Sequence, residues 1–239
     1  MHALVACARR ALPLRSSALR TPMRRRMFSW QQRPVEALLE RPIHALIGLN
    51  VGVWALWQAA GNNREAEQWM AAHFTTSTAG LVNGLRFHTL VTSSFSHRDF
   101  SHLAVNMITL YFFGGEVLAL LGAQRLLSLY IGSAVASGVV QAAWPLLSDR
   151  ISPYTPALGA SGAVSSVVMW SILTYPRRII LLYFIIPVPA ALFGAGFILK
   201  DSLGLFGYGS ANVGNAAHIG GAMCGAMYFL LTRRRPPQF

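Results

Sequence analysis

The sequence predicts an all-α polytopic membrane protein with six transmembrane helices. Composition is the first reason: 54% of residues are hydrophobic, only 12% are charged, and the mean hydropathy is +0.43. The second is a series of apolar segments close to the twenty or so residues a helix needs to cross about 30 Å of hydrocarbon. The third is that loop charge alternates in sign bias from one side to the other, with the basic excess always on the same side. The net charge of +12 does not point to nucleic acid, because most of it sits in one terminal stretch.

That stretch comes first in the chain. Before Glu36 there is no acidic residue, while Arg9, Arg10, Arg15, Arg20, Arg24, Arg25, Arg26 and Arg33 are all present. Ser16, Ser17, Thr21 and scattered leucines complete an Arg-rich, acid-free pattern typical of an organellar transit peptide. No apolar core follows the arginines, so it does not read as a secretory signal. "RRRMFSW" has the look of a matrix-processing site, with Arg26 three residues before Ser29. Residues 1–28 therefore read as a removable mitochondrial leader and 29–42 as a short polar segment. A basic tail on a bacterial protein is the other reading of the same arginines. Cys7 and Cys224 are the two cysteines; with Cys7 in the leader, the mature chain keeps one thiol and forms no internal disulfide.

Hydropathy places the six spans near 43–60, 101–121, 126–147, 159–175, 179–199 and 212–231, with a basic tail at 232–239. Residues 61–100 are too polar to span; their Trp69, Phe74, Leu81 and Phe87 suit a partly structured loop at the membrane surface. The Gly-rich stretch 200–217 reads as a mobile connection, and no segment shows strand-like alternation. Both termini share a side with Arg125, Arg177, Arg178 and Arg233 to Arg235, where Glu116 is the one nearby acid. On the other side Arg64, Arg86, Arg98, Arg150 and Lys200 are each offset by Glu65, Glu67, Asp99, Asp149 or Asp201. Both ends inside is the topology this implies.

The fourth span is short. Sixteen residues from Gly159 to Thr174 make about 24 Å of helix, closed by Pro156 before and Pro176 after. If its inner end lies at the surface, its outer end begins below the opposite surface, with first-turn N–H groups open to a sunken pocket. Ser161 lies in that first turn, between Gly159 and Gly162. Span two adds His102 and Asn106, four apart on one face. Span six adds His218, with Gly221 and Gly225 at the spacing that permits close helix contact. Each has a structural reading, as packing serine, packing glycine or carbonyl-bonded histidine. Polar groups inside a bilayer nonetheless face a cavity or a partner and mark functional sites. A serine with a neutral histidine as base, and an amide, an imidazole and a backbone N–H as oxyanion donors, makes one complete hydrolytic set. No acid lies in the outer half of these spans, so the expectation is a Ser–His dyad without a carboxylate.

His102-x-x-x-Asn106, Gly159-Ala160-Ser161-Gly162 and Ala217-His218-x-x-Gly221-x-x-x-Gly225, in this order and on these spans, resemble the rhomboid intramembrane serine proteases. His97 and the Gly-Gly-Glu ending at Glu116 also fit. The resemblance covers residues 43–231 and implies a six-helix rhomboid-like bundle. It implies Ser161 as nucleophile, His218 as base, and His102, Asn106 and the Ser161 N–H as the oxyanion hole. Its mitochondrial members imply the inner membrane, termini in the matrix, and transmembrane segments of other proteins as substrates. Two departures stand out. Some members stack a tyrosine on the base, four residues after the serine; Ser165 is here instead. A Trp-Arg pair in the first loop of many members reads Phe87-His88. Mitochondrial members often carry an extra span before the core, for which residues 1–42 leave no room.

A metal or haem on His97, His102 and His218 is disfavoured, as no carboxylate or cysteine completes a set at ligand spacing; no cofactor is expected. A channel would explain buried polar groups but not a serine at a sunken helix start. The main rival to the protease is a rhomboid-like scaffold that binds membrane helices and cuts nothing.

Overall fold

Five of the six apolar stretches fold as helices close to their expected bounds, and the fifth divides into a hairpin and a shorter helix. The computed structural model describes residues 41–182, 185–208 and 214–232. The leader, nearly all of segment 29–42 and most of the basic tail lie outside the described residues.

Helix α1 (Pro42–Ala60) starts with proline in its first turn, where the missing N–H costs nothing, and stops at Gly61. Residues 61–99, expected as a partly structured loop, fold as a small helical subdomain. Its α2 (Arg64–Phe74) is capped by Asn63, whose side chain accepts from the N–H groups of Glu65 and Ala66, and Glu65 and Glu67 complement the helix dipole. Two short helices follow, α3 (Thr78–Val82) and α4 (Thr89–Thr92). Trp57, Ala60 and Met70 form a small core between this subdomain and α1. Trp57 donates its indole N–H to Ser96 at 2.7 Å, beneath the Arg98 guanidinium.

Asp99 caps α5 (Phe100–Leu121), and Gly122, at φ 82, ends it and turns directly into α6 (Ala123–Ala143). Helix α7 (Ser161–Thr174) is the axis of the molecule: ten of its fourteen residues are buried, and α5, α6, α8 and α9 all pack on it. A helix apolar all round belongs inside a bundle. One core cluster, with Leu103, Met107 and Tyr130, follows α7 from Ala160 to Ile172; another, around Val117, Leu126, Val167 and Trp170, lies near the end away from Ser161. At that far end Glu116 accepts from the Ser171 hydroxyl and from Arg178, both at 2.6 Å, tying α5 to α7.

The expected span 179–199 is corrected. Strands β1 (Ile179–Leu182) and β2 (Ile186–Pro189) pair antiparallel, and α8 (Ala190–Leu205) begins only after them. Pro187 and Pro189 were the available signal, since proline within a helix removes bonds and clashes with the preceding turn. Hydropathy alone could not see this, because 179–199 is apolar throughout. The Gly-rich 200–217 stretch is likewise partly helical: α8 runs on to Leu205, and α9 (Asn215–Thr232) starts at Asn215. Residues 209–213 lie outside the described residues. Among the described residues, three helical segments are long and apolar enough to cross a membrane, Pro42–Ala60, Phe100–Leu121 and Ala123–Leu146, with Ser161–Thr174 a shorter apolar helix.

Candidate active site

Ser161 owes its position to the loop before it. Thr76 and Ala157 exchange backbone hydrogen bonds at 2.8 Å, and the Gly159 N–H donates to the Ser93 carbonyl at 2.9 Å. Gly159 sits at φ 128, and a Cβ there would lie 2.7 Å from His102 Cε1. Only glycine combines that backbone with that contact. The next N–H, of Ala160, donates to His97 Nε2 at 3.3 Å. His97 is fully buried, and burial, helped by neighbouring His102, pulls its pKa down to about 4. It stays neutral and keeps an acceptor on the peptide beside the serine. As first residue of α7, Ser161 has a backbone N–H without an intrahelical acceptor.

His218 Nε2 lies 2.8 Å from Ser161 Oγ, within the reach a general base requires. Its other nitrogen, Nδ1, lies 3.0 Å from Asp201 Oδ2. Donating Nδ1–H to that carboxylate leaves Nε2 as an acceptor for the Ser161 hydroxyl. Asp201 is fully buried, and its second oxygen accepts from Lys200 Nζ at 2.9 Å. This corrects the expectation of a dyad with no acid. Asp201 looked like a loop charge balanced by Lys200, whereas the last turn of α8 carries it against the base. The legible clue was Phe197, four residues earlier on the same helical face. Its ring lies against His218, tilted by 32°, at a centroid distance of 5.6 Å.

Asn106 is buried and donates to the His102 carbonyl at 2.9 Å, which leaves one amide hydrogen uncommitted to that bond. The His102 imidazole lies over Gly159 beside the serine. The glycines divide their work. A Cβ on Gly221 would lie 1.9 Å from the Gly162 carbonyl oxygen, and one on Gly225 would lie 2.2 Å from that of Ser166, so α9 and α7 meet backbone to backbone. Gly162 makes room mainly for α6, where a Cβ would lie 2.3 Å from Ser137 Oγ, and the same Cβ would lie 3.3 Å from the Ala217 carbonyl oxygen of α9. Among the described residues no group of three or more His, Cys, Asp or Glu is placed to hold a metal ion.

A rhomboid domain matches residues 84–235, more than half of the chain and all of this constellation. The chain belongs to the rhomboid family. It is 36% identical over 200 residues to the RHOMBOID-like protein 12, mitochondrial, of Arabidopsis thaliana, covering 79% of this chain and 57% of that one. It is 34% identical over 192 residues to the Rhomboid protein 1, mitochondrial, of Saccharomyces cerevisiae, covering 78% and 51%. The presenilin-associated rhomboid-like protein, mitochondrial, of Homo sapiens is 30% identical over 194 residues, covering 79% and 48%. The chain thus spans about half the length of the curated relatives it matches. Within the rhomboid pattern, both departures have a local answer. With Ser165 in place of a tyrosine, His218 is contacted instead by Phe197 and Asp201. Around Phe87-His88, Arg86 donates to the Ala72 carbonyl at 3.3 Å, and His88 meets His73 at 3.1 Å.

Proposed function

We propose that this rhomboid is an intramembrane serine protease that hydrolyses peptide bonds within or near transmembrane segments of other membrane proteins. The observation that carries the reading is the continuous chain Ser161–His218–Asp201, with bonds of 2.8 and 3.0 Å. Ser161 Oγ attacks the scissile carbonyl carbon as His218 Nε2 takes the hydroxyl proton. His102, the free amide hydrogen of Asn106 and the Ser161 N–H stabilise the oxyanion. The C–N bond then breaks, His218 protonates the leaving amine, and an acyl-serine remains. Water, activated by the same histidine, hydrolyses that ester and restores Ser161. Asp201 holds the tautomer and offsets the imidazolium charge. A substrate helix must unwind locally to present its carbonyl, so helix-weakening residues near the cut are favoured.

In this reading α1, α5, α6, α7, α8 and α9 are six spans with both ends on one side. The mitochondrial names of the relatives and the basic leader support the mitochondrial inner membrane, termini in the matrix, with residues 1–28 as the import signal. Reconstituted protein and its Ser161→Ala variant, incubated with candidate membrane-protein substrates, test the proposal. Cleavage by the parent and none by the variant is the expected outcome. Equal cleavage by both, or binding of substrate helices with no cleavage by either, overturns it, the latter in favour of a scaffold.

A further inference from the structure

The hairpin between α7 and α8 is built for lipid rather than water. The sequence from Ile179 to Pro189 contains no charged residue. Register pairs Ile179 with Pro189 and Leu181 with Pro187, so these four side chains share one face, and all four are exposed. The other face turns Ile180 onto the core. An antiparallel ribbon with one wet face normally alternates apolar inward and polar outward. Here both faces are apolar, and Ile185 and Ile186 at the turn are 79% and 52% exposed.

The unpaired edge of β2 is adapted in the same direction. Its alternate residues Ile186 and Val188 can donate to β1, so positions 187 and 189 direct their nitrogens outward. Both are proline, with no N–H to leave unsatisfied. In water this blocks pairing with another strand along that edge; near hydrocarbon it also removes two donors that would be costly to desolvate. Position agrees. Helix α8 has sixteen residues, about 24 Å of helix against roughly 30 Å of hydrocarbon. Its first N–H groups are satisfied by the carbonyls of Arg178 and Pro176, so it can start below the surface. The exposed Arg177 precedes the hairpin, while Arg178 is engaged by Glu116.

We infer that the β1–β2 hairpin is a membrane-surface anchor, laying Ile179, Leu181 and Ile185 into the leaflet on the Arg177 side, with Arg177 at the lipid phosphates. Buried apolar area and attraction to anionic headgroups together set the strength of such contacts. The partner is lipid; a second copy of the chain is the competing occupant.

The test uses the full chain with Cys7→Ser and Cys224→Ser, carrying Ile185→Cys or, separately, Leu181→Cys, each labelled with an environment-sensitive fluorophore. Asp149→Cys is the water-exposed control. In phosphatidylcholine vesicles with phosphatidylglycerol, both hairpin labels should resist iodide. Nitroxide lipids labelled near the headgroup should quench them several-fold more than lipids labelled at the chain end. Arg177→Gln should remove the dependence on phosphatidylglycerol. Iodide quenching equal to that of the control overturns the anchor. Protection that vanishes as protein is diluted in lipid overturns it in favour of a second copy. An unchanged phosphatidylglycerol dependence in Arg177→Gln overturns the role of Arg177. None of these readouts involves proteolysis, so they stand or fall independently of the catalytic reading.

Discussion

Replacing Gly221 by alanine puts one methyl group where the bundle has no space. The new Cβ would lie 1.9 Å from the Gly162 carbonyl oxygen, against the 3.4 Å at which ordinary contact begins. The obstacle is backbone in the first turn of α7, so no side-chain rotation relieves it. The two helices must separate by about 1.5 Å, the difference between those distances. Gly162 follows Ser161, and His218 is one turn from Gly221, so the separation falls on the Ser161–His218 bond. Stretching 2.8 Å by that amount gives about 4 Å, beyond the 2.6–3.2 Å that general-base catalysis requires. A misplacement of about 1 Å can cost 10²-fold in rate, so Gly221→Ala should lose at least 10²-fold. Overpacking of this kind destabilises by roughly 1–3 kcal/mol, so the protein should remain folded at low temperature. Initial rate and thermal unfolding should be measured on one detergent-purified sample. The control is Gly52→Ala on α1, where an added Cβ meets nothing within 4 Å; it should keep full activity and gain about 0.5–1 kcal/mol. Near-normal turnover by folded Gly221→Ala would refute the reasoning, as would activity lost only in proportion to unfolded protein.

Asp201→Asn should lower kcat by roughly 10²–10⁴-fold with little change in KM, because it disturbs the tautomer of the base; Lys200→Gln, removing a partner whose side chain is 56% exposed, should stay within a few-fold. A loss of melting temperature at unchanged kcat would make Asp201 merely structural. Asn106→Ala should cost about 10²-fold, the lower end of the range for an oxyanion donor, since one amide hydrogen is already spent on the His102 carbonyl; unchanged single-turnover rates would remove it from the oxyanion hole. Acidification should destabilise the protein through His97, whose pKa falls from 6.5 to about 4 on folding. The unfolded chain then binds a proton that the folded one refuses. This contribution, at most about 3 kcal/mol, is complete above pH 6.5 and lost as pH falls towards 4. Thermal melts across that window should show a drop that His97→Gln reduces, and identical pH slopes in the two proteins would argue against it.

The residues that carry the proposed chemistry were legible because they are local. Ser161 between its glycines, His102 four before Asn106, and His218 three before Gly221, itself four before Gly225, are short-range patterns on helices that hydropathy alone locates. Their meeting is another matter. Nothing in the order of residues says that Gly221 faces the Gly162 carbonyl while a Cβ on Gly162 would run into Ser137; the mutual packing of α6, α7 and α9 decides that. Asp201 was hidden because charge balance with its neighbour Lys200 and a Gly-rich context gave it a sufficient surface explanation. Only the extension of α8 to Leu205 carries it inward to His218, seventeen residues on in the chain. The hairpin was hidden for the opposite reason, since Ile179 to Leu199 is uniformly apolar and a uniform run has no period to distinguish strand from helix. Composition thus determined the solvent of this protein, and local spacing its reactive groups. Which groups touch was left to the packing of helices, because contact distances depend on how far two backbones can approach.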